Sequence, residues 1–208
     1  MRIGTDLDNT LINYDALFHA AALERGLIAK ELPARKTEVK NWVQGRHGND
    51  AWTELQAEVY GPLLEQAEVY PGAMAFFRRC RSSGFSVCVI SHKTRFPALG
   101  RQHDLRAAAM RWLEQRGWFG ADGIHLDRSD VEFHDTRAAK VQAIRRRACD
   151  LFIDDLPEVF AEEAFPTETT RILFDPDGAH AAVPNIKKVG HWSEVEDWVF
   201  ASNAGSTV

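Results

Sequence analysis

The sequence lacks the features that mark several large classes of protein. It has only three cysteines, none of them in a C-x-x-C spacing, so neither a disulfide framework nor a zinc site is expected. No run approaches the ~20 apolar residues of a membrane helix, and no apolar signal region opens the chain. A formal net charge of −5 gives no support for a nucleic-acid or membrane partner. We therefore expect a cytoplasmic protein without either partner.

What the sequence does contain is an alternation of short apolar runs and helical patterns over 208 residues, enough for one well-buried domain. The apolar runs lack in–out alternation, which is typical of parallel strands covered on both faces. They span residues 2–6, 85–91, 151–154 and 170–174, with a weaker candidate at 123–126. Helical patterns at 72–83, 105–116 and 136–147 lie between them. This order predicts an α/β fold, doubly wound around a mostly parallel, Rossmann-like sheet.

Residues 11–70 interrupt the alternation. They contain no convincing strand, only helical segments near 14–25, 37–43 and 49–66, and they are too long for a single crossover. We interpret this stretch as a small helical cap inserted over the strand ends. The predicted α/β core then consists of residues 1–10 and 71–208.

Polar residues follow the ends of three predicted strands. Asp6 ends the first, Ser91 the second and Asp154 a later one, and ligands of open α/β sheets bind outside the carboxyl ends of the strands. Asp8 lies two residues after Asp6, so strand geometry directs both carboxylates to the same side. Lys140 lies near the start of a predicted helix, whose side chains lean toward its N-terminus. The ordered set predicts a phosphoryl-transfer site.

Phosphoryl transfer requires these residue types. A carboxylate can attack phosphorus to form an aspartyl-phosphate, which divides one difficult step into two. Because two anions must meet, a divalent cation is needed, and Mg²⁺ prefers hard oxygen ligands. Asp6 and Asp154 are candidate ligands, with Asp155 either a third ligand or a residue behind them.

The remaining groups would manage protons and charge. Asp8 can protonate the leaving oxygen and later activate water, a role that requires a raised pKa, which neighbouring carboxylates tend to produce. The Ser91 hydroxyl and the Lys140 ammonium would stabilise charge on the phosphoryl oxygens.

These residues resemble the motifs of the haloacid dehalogenase (HAD) superfamily of phosphohydrolases. The matching segments, in the order of the family, are Asp6-Leu7-Asp8-Asn9-Thr10 for the DxDxT first motif, Val89-Ile90-Ser91 for the second, Lys140 for the third and Phe152-Ile153-Asp154-Asp155 for the acidic fourth. Arg137 is a neighbouring cationic alternative for the third motif.

The resemblance implies roles for the matched residues. Asp6 would be the nucleophile and Asp8 the acid/base. Mg²⁺ would be held by Asp6, the main-chain carbonyl of Asp8 and the pair Asp154-Asp155, with the direct ligand of that pair left open. The stretch after Thr10 occupies the position of the cap that many members insert. An aspartate at position 8 argues against dehalogenation, because the dehalogenating members lack this acid.

The residues that would choose the substrate are less defined. The candidates are Thr10 in the first motif, His92 and Lys93 after the second strand, and Arg46 in the cap. A solvated loop or helix face is the competing interpretation for the last three.

We expect a Mg²⁺-dependent phosphatase acting on a small phosphorylated metabolite, with sugar phosphates and nucleotides both open. A 5′-nucleotidase-like or phosphotransferase activity is an alternative. A receiver-like signalling domain fits less well, because its acidic pair comes early in the chain, whereas here the pair is Asp154-Asp155. Loss of a first-motif carboxylate would mark a non-catalytic HAD-like binding module, and both carboxylates are present. The sequence does not indicate an oligomeric state.

Overall fold

The computed structural model describes residues 1–120 and 123–204, apart from the side chains of 202–204. Within them, six parallel strands form one sheet in the order β5-β4-β1-β6-β7-β8, which is the predicted doubly wound α/β fold. β2 and β3 form a separate antiparallel pair. In chain order the strands are β1 (Arg2–Thr5), β2 (Ile12–Asn13), β3 (Glu68–Val69), β4 (Ser86–His92), β5 (Val131–His134), β6 (Leu151–Asp154), β7 (Thr170–Phe174) and β8 (Lys187–Val189).

Helices cover both faces of the sheet. In chain order they are α1 (Asp15–Glu24), α2 (Lys36–Val59), α3 (Ala73–Ser82), α4 (Leu105–Gln115), α5 (Arg137–Arg146), α6 (Pro157–Phe160) and α7 (Trp192–Ala204), and a 3₁₀ turn spans Leu64–Gln66. Ile153 of β6 packs in one core with α3, α4 and α7, whereas its neighbour Phe152 packs in a second core with α5 and α6. Both faces are therefore apolar, which explains the lack of alternation in the sequence. None of the helices described is both long and apolar enough to cross a membrane.

One predicted strand was wrong. The strand beside β4 is β5, and residues 123–126 instead form a turn in which Ile124 and Leu126 donate main-chain hydrogen bonds to Gly117 and Trp118. Ile124 and Leu126 are buried, so the segment is apolar because it packs against the core. β5 is half-buried at the edge of the sheet and alternates apolar residues with Glu132 and His134, which hid it from a search for apolar runs.

Residues 11–70 are mainly helical, as predicted. The two predicted helices at 37–43 and 49–66 are the two halves of α2, which is broken at Gly48 (φ 86°, ψ 172°) and ends at Val59. The expectation that this stretch holds no strand was wrong, because β2 and β3 pair near its two ends. Each has only two residues, too few for a periodic signal.

Candidate active site

The register of the central strands brings the predicted site residues together. Thr5 of β1 pairs with Val89 of β4 on one side and with Ile153 of β6 on the other. The amide of Asp6 donates a 2.8 Å hydrogen bond to the Ile153 carbonyl, so Asp6 leaves β1 at the level where Asp154 leaves β6. The first and fourth motifs therefore meet at the carboxyl end of the sheet.

Lys140 joins these two carboxylates. Its ammonium lies 2.5 Å from Asp6 Oδ1 and 2.6 Å from Asp154 Oδ2, and its side chain is buried. The side chain of Thr136 caps α5 by accepting a hydrogen bond from the amide of Ala139, which fixes the first turn of the helix that carries Lys140. The alternative cation, Arg137, is partly exposed and pairs with Glu162 at 3.0 Å. Of the two cations, Lys140 is the one that contacts the motif carboxylates Asp6 and Asp154.

Three carboxylates form a cluster suited to a metal ion. Asp6, Asp154 and Asp155 each offer an oxygen, and these oxygens lie within 4.8 Å of one another. Burial raises the pKa of Asp6 to about 7, with Lys140 opposing the shift and Asp154 and Asp8 adding to it. Burial and the neighbouring carboxylates also hold the pKa of Asp155 well above its ordinary value. Hard anionic oxygens at this spacing fit a divalent cation such as Mg²⁺, which would relieve their mutual repulsion.

The prediction for the pKa of Asp8 was wrong. Burial alone would raise it, but the ion pair with Lys93 and hydrogen bonds from Lys93 and Tyr14 lower it below its ordinary value. Lys93 Nζ lies 2.7 Å from Asp8 Oδ2, and the Tyr14 hydroxyl donates a 2.5 Å hydrogen bond to Oδ1. The neighbours of Asp8 are thus hydrogen-bond donors that lower its pKa, whereas the carboxylates near Asp6 raise the pKa of Asp6.

Two motif hydroxyls are buried without a hydrogen-bond partner in the described part of the chain. Ser91, near the end of β4, is 1% exposed, and its Oγ makes no hydrogen bond there. The same holds for Thr10 Oγ1, although the Thr10 carbonyl accepts a hydrogen bond from Trp192 Nε1. Since buried hydroxyls normally find partners, an unpaired one beside β1 is suited to an incoming oxygen atom.

The other predicted substrate-binding residues are not all at the cluster. Lys93 is buried and paired with Asp8. His92 is exposed, and its Nε2 contacts the carbonyl of Asp135 at 3.1 Å. Arg46 is exposed on α2 and stacks on the ring of Trp42 at 4.1 Å, so its contacts are within the helix.

Residues 11–70 supply contacts that the sequence did not assign to the site. Tyr14 binds Asp8, and the ammonium of Lys36 donates a 2.8 Å hydrogen bond to Asn9 Oδ1. Asn9 Nδ2 in turn donates to Asp155 Oδ2 at 3.1 Å. Asn9 lies inside the first motif, which was a usable signal. Nothing in the sequence distinguishes Tyr14 or Lys36 from other polar residues of the insertion.

Several solved structures are similar to this chain over nearly their whole length. A HAD-family hydrolase of Deinococcus radiodurans R1 with bound phosphate and sodium aligns with a TM-score of 0.56 and 15% identity, over 97% of this chain and 96% of that one. A predicted phosphoglycolate phosphatase of Haemophilus somnus 129PT gives 0.52 and 14%, over 96% of each chain. An L-2-haloacid dehalogenase gives 0.53 and 14%, over 96% of this chain and 98% of that one.

No family model matches the sequence, and no curated protein does. At these identities the structural likeness establishes the fold. The neighbours include a predicted phosphatase as well as dehalogenases, so the activity has to be inferred from the site itself.

Proposed function

We propose that this chain, which has the fold of the HAD-superfamily hydrolases, is a Mg²⁺-dependent phosphatase of small phosphomonoesters that works through an aspartyl-phosphate on Asp6. One observation carries the proposal: Asp6, Asp154 and Asp155 converge within 4.8 Å, and Lys140 joins the first two. A carboxylate nucleophile held between a lysine and a metal-binding cluster is suited to attack an anionic phosphoryl group.

The charges around the cluster support this chemistry. Four carboxylates face three lysines, which leaves the site one negative charge in excess when all are ionised: Asp6, Asp8, Asp154 and Asp155 against Lys36, Lys93 and Lys140. A phosphomonoester dianion would be repelled by that excess. Mg²⁺ held by Asp6, Asp154 and Asp155 would neutralise charge shared by the nucleophile and the phosphoryl oxygens.

In the first step, a carboxylate oxygen of Asp6 attacks phosphorus and the bond from phosphorus to the leaving alcohol breaks. Lys140 stays with Asp6 and offsets the charge at that end. The Ser91 hydroxyl is available to donate to a phosphoryl oxygen. Asp8, having taken up a proton from solvent when the substrate binds, gives that proton to the leaving oxygen. A bound phosphate dianion raises the proton affinity of Asp8 and so opposes the effect of Lys93.

In the second step, Asp8 is again a carboxylate and accepts a proton from water as the water oxygen attacks phosphorus. The bond from phosphorus to Asp6 breaks, which restores the Asp6 carboxylate and releases inorganic phosphate. The hydrogen bonds from Lys93 and Tyr14 fix the orientation of Asp8 and favour the ionised form that this step needs.

The same geometry favours phosphate over a haloacid as the substrate. Displacement of halide from carbon leaves an anion that needs no proton, so the acid role of Asp8 would have no task. Carbon bearing a halogen is also uncharged, and its attack by Asp6 does not require a cluster of metal-binding carboxylates. A phosphomonoester makes use of both features.

We infer that residues 11–70 act as the cap and that the substrate is small. Asp6 and Asp154 are 4% and 0% exposed, and Tyr14 and Lys36 contact the motif residues from the insertion. A substrate has to enter when this contact opens, and a closed cap excludes water from the reaction.

The proposal is tested with a panel of about a hundred phosphorylated metabolites and with a 2-chloroacid, measuring phosphate and chloride release. We expect Mg²⁺-dependent phosphate release that stops with EDTA and is lost in Asp6→Asn, with no chloride released. Chloride release, or phosphate release that survives EDTA or the Asp6→Asn change, contradicts the proposal. Asp50→Asn, an exposed change on α2, is the matched control.

A further inference from the structure

Lys36 is a cation at the site that the reaction as proposed leaves without a task. It begins α2, and its main-chain amide donates a 2.8 Å hydrogen bond to Asp15 Oδ1. Its ammonium lies 5.3–5.4 Å from the ring centroids of Tyr14, Phe18 and Tyr60. Within the described residues it forms no ion pair. It makes a side-chain hydrogen bond with Tyr60 inside residues 11–70, and on the core side its acceptor is the amide oxygen of Asn9.

The contact with Lys36 determines which way the Asn9 amide points. An ammonium only donates hydrogen bonds, so Asn9 has to present its oxygen to Lys36 and its NH₂ group to the other side. That NH₂ group donates to Asp155 Oδ2. The backbone of Asn9 is left-handed (φ 58°), a conformation that asparagine tolerates better than most residues and that directs this side chain between the two partners.

The chain of hydrogen bonds ends on a member of the metal-binding cluster. With one oxygen of Asp155 held by Asn9, rotation of the carboxylate is restricted while it faces Asp6 and Asp154. Groups that hold a metal ligand in place commonly change metal affinity by 10–100-fold when they are removed. Lys36 belongs to the insertion and Asn9 to the first motif, so the chain crosses from one to the other.

We propose that Lys36 is a positioning residue: it fixes the Asn9 amide, and through it Asp155, so that Mg²⁺ binds tightly only when residues 11–70 contact the core. The inference rests on the proposed function, since it takes Asp155 to be part of the Mg²⁺ site. Cap closure and metal binding are then coupled, and each strengthens the other.

Whether removal of Lys36 weakens or tightens Mg²⁺ binding distinguishes a positioning role from a purely electrostatic one. A lysine acting only as a nearby positive charge repels Mg²⁺, so removing that charge would tighten Mg²⁺ binding. A lysine that orients a ligand through Asn9 has the opposite effect, because its removal leaves the Asp155 carboxylate free to turn away. Lys36→Met removes the charge and the donor but keeps an unbranched apolar side chain against the three rings.

The test is calorimetric titration of the full-length, metal-free protein with Mg²⁺. Wild type and Asp155→Asn come first: wild type should bind Mg²⁺, and Asp155→Asn should lose that binding. Failure here contradicts the proposed function. With binding established, Lys36→Met should weaken the affinity by about 10-fold or more. Lys40→Met, an exposed change on the same helix, should leave it unaltered.

Asn9→Gly provides the second arm, since glycine tolerates the positive φ and removes the amide without strain. It should weaken Mg²⁺ binding as much as Lys36→Met, and the double variant should be no weaker than either single one. Unchanged or tighter binding in Lys36→Met, or effects that multiply in the double variant, overturns the inference. If Lys36→Met does not fold, unchanged affinity in Asn9→Gly overturns it alone.

Discussion

At the scale of the residue, each lysine at the site has a different acidic or amide partner. Lys140 binds Asp6 and Asp154, Lys93 binds Asp8, and Lys36 binds Asn9. This pairing separates the two first-motif carboxylates. The pKa of Asp6 is raised to about 7 by burial, whereas that of Asp8 is lowered by its donors. Two aspartates two residues apart thus have different chemistry because their neighbours differ.

The raised pKa of Asp6 predicts how metal-free protein responds to pH. The native state holds a proton on Asp6 up to about pH 7, whereas the unfolded chain loses it near 3.8, so this carboxylate lowers stability as pH rises through that window. Asp6→Asn removes the penalty. In EDTA at pH 8, we expect the variant to melt at least roughly 2–4 °C above wild type, the shift produced by about 1 kcal/mol.

Thermal melts of both proteins from pH 4 to pH 8 measure this difference. The difference in melting temperature between Asp6→Asn and wild type should be small at pH 4 and should increase toward pH 8. A difference that is constant with pH, or that decreases as pH rises, would show that Asp6 does not cause the loss of stability. Added Mg²⁺ should stabilise wild type more than Asp6→Asn, because the variant has lost one ligand.

The unpaired hydroxyl of Ser91 gives a second prediction. Its Oγ makes no hydrogen bond within the described chain, so Ser91→Ala should leave the melting temperature unchanged or slightly raised. Turnover should fall by roughly 10²–10³-fold if the hydroxyl donates to a phosphoryl oxygen in the transition state. Steady-state kinetics on any phosphomonoester that the wild type accepts supplies the measurement. Unaltered turnover would remove Ser91 from the site.

At the scale of the element, β1 is the strand that positions Asp6, the proposed nucleophile, and Gly4 lets this strand pack closely against its neighbours. A Cβ added at Gly4 would lie 2.5 Å from Phe152 Cδ2 and 2.8 Å from Cys149 Sγ. Gly4→Ala should therefore destabilise the protein by about 1–3 kcal/mol through overpacking. Gly45 of α2 has open space around it, so Gly45→Ala should instead stabilise, by up to about 1 kcal/mol.

Chemical denaturation measures the free energy of unfolding of both variants and so tests whether Gly4→Ala destabilises the protein while Gly45→Ala stabilises it. Equal effects, or stabilisation by Gly4→Ala, would mean that β1 is not as tightly packed between its neighbours as described. Since Asp6 follows β1 directly, Gly4→Ala should also reduce turnover, whereas Gly45→Ala should not.

The elements also show what the sequence was able to predict. β1, β4 and β6 are apolar on both faces, and the rule that ligands bind at the carboxyl ends of parallel strands then located Asp6, Ser91 and Asp154 together. β5 was missed because this half-buried edge strand includes the polar residues Glu132 and His134. The contacts of Lys36 depend on how α1 and α2 pack over the core, and no local pattern encodes that packing.

At the scale of the whole molecule, the insertion and the core share one apolar cluster. Phe18 and Trp52 of the insertion belong to the same cluster as Ile3 and Ile153 of the sheet. The insertion also reaches the motifs through Tyr14 and Lys36. On the proposals made above, the position of residues 11–70 would control both access to Asp6 and the order of the acidic cluster, so we expect the choice of substrate and the binding of Mg²⁺ to depend on it.

The most direct test of the central claim is rapid-quench mass spectrometry of Asp8→Asn mixed with Mg²⁺ and p-nitrophenyl phosphate. Because p-nitrophenolate leaves without needing an acid, phosphorylation of Asp6 should still occur in this variant. Loss of the base should slow hydrolysis of the aspartyl-phosphate by roughly 10²–10⁴-fold. We predict that the peptide containing Asp6 gains the mass of one phosphoryl group, and that Asp6→Asn does not. Phosphate release with Asp6 unmodified, or modification at another residue, would contradict the account.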